Sequence, residues 1–207
     1  MDENLTNQAA DETVNTSSIS KETINALPLA GYDGPIHLIA TQEEARDAVS
    51  KLLTERILGF DTETRPSFRP GESYPAALLQ LAGADGVYLF QLLQIPDLTE
   101  VYNLLQDPSI VKAGVAIRDD IRKLQERIPF VPQGFIELSD ITQKVGILNT
   151  GLRSLAAIYL GVRVSKGSQV SNWSKRVLTP AQLKYAAIDA WISRSLYVKL
   201  ADLGLTQ

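Results

Sequence analysis

The order of apolar and polar residues divides this chain into alternating short strands and helices. Ile36-His37-Leu38-Ile39-Ala40 reads as a first strand. Thr41 then stands as a helix cap with Glu44 three residues on, a capping box, and the helix is predicted to run to about Thr54. Ile57-Leu58-Gly59-Phe60-Asp61-Thr62-Glu63 is an apolar run with β-branched and aromatic character, hence a buried strand. Arg65 to Glu72, with Pro66, Pro70 and Gly71, is a loop. Ala77–Ala82 and Gly86–Phe90 form a hairpin across Gly83-Ala84-Asp85.

Beyond the hairpin, helix and strand alternate. Leu98 to Leu105 is predicted helical, Ile110 to Val115 a strand, and the segment after it a helix. Leu152 to Tyr159 is a further helix, stopped at Gly161. Ser165 to Lys175 is a polar loop. Thr179-Pro180-Ala181-Gln182 combines a Thr cap, Pro at the first helical position and Gln at the third, and starts a last helix that runs to about Leu200. Early strands followed by α/β units predict an α/β fold: a mixed sheet flanked by helices.

The strand over residues 57–63 ends in two acids one residue apart. Strand side chains alternate faces, so Asp61 and Glu63 point the same way and repel each other. A hard divalent cation relieves that repulsion; a plain polar strand end leading into a loop is the other reading. In Gly114-Val115-Ala116-Ile117-Arg118-Asp119-Asp120-Ile121-Arg122-Lys123-Leu124 the apolar stripe Ile117, Ile121, Leu124, Ile128 carries Asp120 with it and leaves Asp119 outside. A buried acid is costly unless paired, hydrogen-bonded or bound to metal. Tyr185 and Asp189, four apart on the last helix, share one face among small alanines. The bland readings are a core-edge acid for Asp120 and a surface Tyr–Asp pair.

Together the Asp-x-Glu strand, the Asp120 helix and the Tyr-x-x-x-Asp helix resemble the DEDDy 3′–5′ exonucleases. The likeness is greatest to the Werner-syndrome-type exonuclease domain, with ribonuclease D more distant. Ser171-Asn172-Trp173-Ser174-Lys175 and Tyr-Ala-Ala-x-Asp-Ala are similar to the same domain, and the resemblance covers roughly residues 36–200. It implies a ribonuclease-H-like fold, hydrolysis from a free 3′ end to nucleoside 5′-monophosphates, and two divalent cations, Mg²⁺ or Mn²⁺, about 4 Å apart. It implies Asp61 as the ligand common to both cations, Glu63 and Asp189 on the nucleophile side, Asp120 on the other, and Tyr185 orienting the attacking water. Thr62, Arg65, Phe68, Trp173, Lys175 and Arg176 are the candidate nucleic-acid contacts, Trp173 by stacking on a base or shaping the site and Phe68 by wedging against the terminal base. An ordinary packing role is the alternative for Trp173. Lys166 is read as solvated surface.

Composition narrows the alternatives. No cysteine excludes disulfides, thiolate metal sites and a cysteine nucleophile. His37 is the only histidine and reads as structural. No apolar run spans a bilayer and the N-terminus lacks a signal-peptide pattern, so a cytoplasmic address is expected. Net charge is −4. Asp2, Glu3, Asp11, Glu12, Glu22 and Asp33 against Lys21 alone put residues 1–35 at −5, leaving the remainder at +1. That suits a short phosphate footprint with salt-sensitive binding. Residues 1–22 read as a polar, acidic tail, and residues 23–207 as one domain. The length leaves no room for the helical RNA-binding domains of ribonuclease D, which favours DNA as substrate. No helicase motif is present, so any helicase partner would be a separate chain. The competing functions are RNA 3′-end trimming, nucleic-acid binding without catalysis, and a carboxylate-rich structural domain. Oligomeric state is not legible.

Overall fold

The computed structural model describes residues 18–69 and 71–206. Helix α1 (Lys21–Ala26) is capped by Ser20, whose hydroxyl accepts the Thr23 N–H at 3.1 Å. The domain boundary expected at residue 23 therefore falls inside an ordered helix; the expected tail over residues 1–17 lies outside the described residues. Strand β1 (Ile36–Ile39) leads into α2 (Gln42–Leu52), which opens with the predicted Thr41–Glu44 capping box. Then come β2 (Ile57–Thr64), β3 (Ala76–Ala82) and β4 (Val87–Gln91). Helix α3 (Thr99–Gln106), β5 (Val111–Gly114) and α4 (Ile117–Gln125) follow.

Strand β6 (Phe135–Glu137) and helix α5 (Leu138–Lys144) have no counterpart in the sequence reading. Three strand residues that pass into a helix with no loop between carry too little periodicity to be seen. Helix α6 (Leu152–Leu155) widens into a π turn over Ala156–Leu160 and stops at Gly161, whose φ of 67° closes the end. The last helix, α7 (Pro180–Asp202), has the predicted Thr179–Gln182 capping box. No helix among the described residues is long and apolar enough to cross a membrane.

The sheet order is β1-β4-β3-β2-β5-β6. β2 pairs antiparallel with β3 and parallel with β5, so the sheet is mixed, as predicted. Phe60, Leu79, Leu81 and Phe90 face α2, α3 and α4 in one core. The other face takes α7. Gly59 decides how closely α7 lies: a Cβ there would collide with the carbonyl oxygen of Ala190, so only glycine permits the contact. Ala186, Ala187 and Ala190 are buried in the same interface. The acidic end of β2 and the middle of α7 are thereby brought together, though about 130 residues apart in sequence.

Candidate active site

Asp61 and Glu63 lie on the α7 face of β2, because Gly59 on that face touches α7 and the strand alternates. Asp189 comes down from α7. One carboxylate oxygen from each of Asp61, Glu63 and Asp189 falls within 4.8 Å of the others. They floor a cleft of about 430 Å³ that also takes Thr62, Val115, Ala116, Arg153, Lys166, Gln169 and Tyr185 into its walls. Lys166, read from the sequence as plain solvated surface, is thus part of the cleft lining.

Asp120 arrives by another route. Thr62 alternates to the opposite face of β2, toward α4, and its hydroxyl donates to Asp120 Oδ1 at 2.5 Å. Asp120 is therefore held at the edge of the three-carboxylate group rather than inside it, yet near enough that its charge raises the pKa of both Asp61 and Glu63. Asp119 faces outward and pairs with Arg122 and with Lys123 at 3.0 Å. The sequence reading of this helix, Asp120 inward and Asp119 outward, matches the structure.

The electrostatics are those of a site short of positive charge. Burial, then the charges of Asp189, Asp120 and Glu63, push Asp61 well above the ordinary carboxylate range. Burial and the Asp189 and Asp120 charges raise Glu63 to about 9. Burial lifts Asp189 to about 7, moderated by the Tyr185 hydroxyl, and Asp120 to about 6, moderated by Thr62. Burial and the adjoining Asp189 and Glu63 charges raise Tyr185 far above its usual value, so its hydroxyl keeps its proton. Among the described residues, no lysine or arginine forms an ion pair with any of the four acids. Asp189 Oδ1 is buried without a protein hydrogen-bond partner. So are both amide atoms of Gln80, which sits opposite Asp61 in the β2–β3 register. An all-oxygen donor set, mutually repelling and with an orphaned carboxylate oxygen, fits hard divalent cations.

The candidate nucleic-acid contacts divide. Arg65, Phe68 and Arg69 are exposed on the loop after β2, Phe68 at 80 %, and the Arg65 guanidinium lies 4.8 Å over the Tyr74 ring. Lys175 and Arg176 are exposed, and their backbone is pinned to the same end of the sheet: Gln91 Nε2 donates to both carbonyls at 3.2 Å, and Gln94 Nε2 to that of Arg176 at 3.0 Å. Trp173 and Thr62 are buried instead. Trp173 is 1 % exposed and packs with Leu78, Leu89 and Ala187, its ring centroid 6.1 Å from that of Tyr185. It packs beside Tyr185, the packing and site-shaping reading of this residue. Thr62 is 7 % exposed, lines the cleft, and gives its hydroxyl proton to Asp120. His37 stacks on Tyr88 with centroids 4.8 Å apart and lies outside the cleft lining.

Gln91, Gln94, Gln80 and Arg153 escape the sequence reading. Each acts or lies at a tertiary contact, as when Arg153 Nε donates to the Val164 carbonyl at 3.0 Å, and the sequence holds no spacing signal for such pairs.

Comparison with known proteins adds to this geometry. The family model described as 3′–5′ exonuclease matches residues 36–204. The chain is 33% identical over 168 residues to the bifunctional 3′–5′ exonuclease/ATP-dependent helicase WRN of Mus musculus, covering 78% of this chain and 12% of that protein. It is 31% identical over 176 residues to a ribonuclease D of Gluconacetobacter diazotrophicus, covering 84% of this chain and 44% of that one. The chain thus spans less than half the length of either curated relative. Among solved structures, the Aedes aegypti Nibbler EXO domain superposes with a TM-score of 0.75 at 22% identity, covering 84% of this chain and 94% of that one, a likeness of fold.

Proposed function

We propose that this chain, which belongs to the 3′–5′ exonuclease family, hydrolyses single nucleic-acid strands from the 3′ end and releases nucleoside 5′-monophosphates. The observation that carries the reading is the meeting of Asp61, Glu63 and Asp189 within 4.8 Å beside Tyr185 on the floor of an open cleft. Divalent cations are this family's cofactors, and Asp61, Glu63, Asp189 and Asp120 would hold them here. When bound, they supply Lewis acidity at the scissile phosphate and its leaving oxygen.

The remaining work falls to the chain's own groups. Tyr185 keeps its proton at neutral pH and donates it in a hydrogen bond to Asp189, so its hydroxyl oxygen orients a water for attack as a hydrogen-bond acceptor and is no base. Trp173 packs beside the Tyr185 ring. Thr62 fixes Asp120. Arg65, Phe68, Lys175 and Arg176 ring the active end of the sheet and receive the strand, the cations on phosphates and Phe68 on the terminal base.

DNA is the substrate we favour. RNA is the second reading, and the ribonuclease D relative is the observation that favours it. Initial rates on DNA and RNA strands of one sequence, with Mg²⁺ and with Mn²⁺, separate the two: faster turnover of DNA supports the first, faster turnover of RNA the second.

A further inference from the structure

Helix α4 carries Asp120 in its first turn, so where α4 begins decides where that carboxylate sits. The entry to α4 is unusual. Ala116 has φ 61° and ψ 33°, the one left-handed non-glycine residue among those described, and its side chain offers no cap to the helix. A residue from another strand does this instead. Glu137, the last residue of β6, lies opposite Gly114 in the β5–β6 register. Its Oε1 accepts the Ala116 N–H at 2.9 Å and its Oε2 the Ile117 N–H at 2.8 Å. Oε1 also accepts from the Ser139 hydroxyl at 2.7 Å and from the Ser139 N–H at 3.2 Å.

One carboxylate thus caps two helices, α4 and α5. Two oxygens on two successive N–H groups fix both the plane of the carboxylate and the left-handed turn. Its charge also lies where the positive end of α4 favours an anion. Val115 and Ala116 line the cleft, whereas Glu137 does not. Asp120 is then held at two points, through its helix by Glu137 and through its own oxygen by Thr62.

We infer that Glu137 is a positioning residue for Asp120: by clamping the Ala116–Ile117 turn it sets the start of α4 and holds the Asp120 carboxylate beside Asp61. The inference rests on the reading of Asp120 as a cation ligand. Residues behind metal ligands change metal affinity by about 10- to 100-fold when altered. Glu137→Gln keeps the shape but turns an N–H₂ group toward a backbone N–H. Glu137→Asp keeps the charge and falls short of the turn.

The test is Mn²⁺ binding by isothermal titration to the full chain, below the melting temperature of each variant. The proteins are the parent, Glu137→Gln, Glu137→Asp, Asp120→Asn and the double variant Asp120→Asn/Glu137→Gln. The expected result is a Kd raised about tenfold or more in Glu137→Gln, a smaller rise in Glu137→Asp, and no further change when Glu137→Gln is added to Asp120→Asn. Parent-like Kd values in both Glu137 variants overturn the inference, and so does an equal effect with and without Asp120. If Glu137→Gln fails to fold, Glu137→Asp alone decides by the same criterion. A parent that binds no Mn²⁺ overturns the metal reading itself, and that outcome is distinct from a parent that binds while the variants match it.

Discussion

The Thr62 hydroxyl donates to the Asp120 carboxylate from the opposite face of the strand that carries Asp61 and Glu63. One strand therefore supplies two acids to the cleft and the hydrogen bond that steadies a third. Thr62→Val keeps the volume and the β-branched shape and removes that bond. The protein should fold, with strand hydrolysis lowered about tenfold and more divalent cation needed for half-maximal rate. Metal-dependence curves for the two proteins check this; superimposable curves would show that Thr62 does not position Asp120.

Asp119 and Asp120 are adjacent and chemically identical, yet they stand in opposite surroundings. Asp119→Asn loses exposed pairs with Arg122 and Lys123, which should change stability by no more than about 0.5 kcal/mol. Asp120→Asn removes charge from the site and should lower the rate roughly a hundredfold or more. Unfolding midpoints and turnover rates for both variants test the ranking, and a reversal would mean that α4 presents the other acid to the cleft.

Tyr185 keeps its proton because burial and the Asp189 and Glu63 charges oppose its ionisation. Tyr185→Phe should leave Mn²⁺ affinity near the parent value and reduce the rate on the order of a hundredfold, since a misdirected water is penalised in the transition state alone. A rate that follows ionisation of the tyrosine, rising toward high pH in the parent and flat in Tyr185→Phe, would instead assign it as a base.

The raised carboxylates also set a pH dependence for the metal-free protein. Glu63 near 9, Asp189 near 7 and Asp120 near 6 all lie above their unfolded values of about 4. The folded state then binds more protons than the unfolded state over that range, so stability falls as pH rises from about 4 toward 9. In EDTA, the urea midpoint should be higher at pH 5 than at pH 8, and Asp61→Asn should reduce the difference by removing one charge from the cluster. Adding Mg²⁺ or Mn²⁺ at pH 8 should raise the midpoint by mass action. A metal-free midpoint that rises between pH 5 and pH 8 contradicts this account.

What the sequence discloses here is local. The capping boxes at Thr41 and Thr179 and the alternation of Asp61 with Glu63 are each written within seven residues, as is the i, i+4 placement of Tyr185 and Asp189, and each reappears in the structure. What stays hidden depends on distant partners. Gly59 looks like an interruption in an apolar strand until α7 is laid upon it. Trp173 looks available to a base until Leu78 and Leu89 close around it. Thr62 sits between two site acids in sequence, and only the packing of α4 shows which way its hydroxyl turns. β6 is three residues long and shows itself by its pairing with β5.

On the proposed reading, Asp61, Glu63, Asp120 and Asp189 hold the cations on which strand hydrolysis depends. Digestion of 5′-labelled and 3′-labelled strands by the parent and by Asp61→Asn, with Mn²⁺ or with EDTA, tests it most directly. The account predicts a ladder shortening from the 3′ end of the 5′-labelled strand, and immediate release of labelled monophosphate from the 3′-labelled one. Both should occur with the parent and Mn²⁺ and be absent in EDTA and in a folded Asp61→Asn. Undiminished cleavage by Asp61→Asn or in EDTA, or rapid cutting of a closed circular strand, would contradict it.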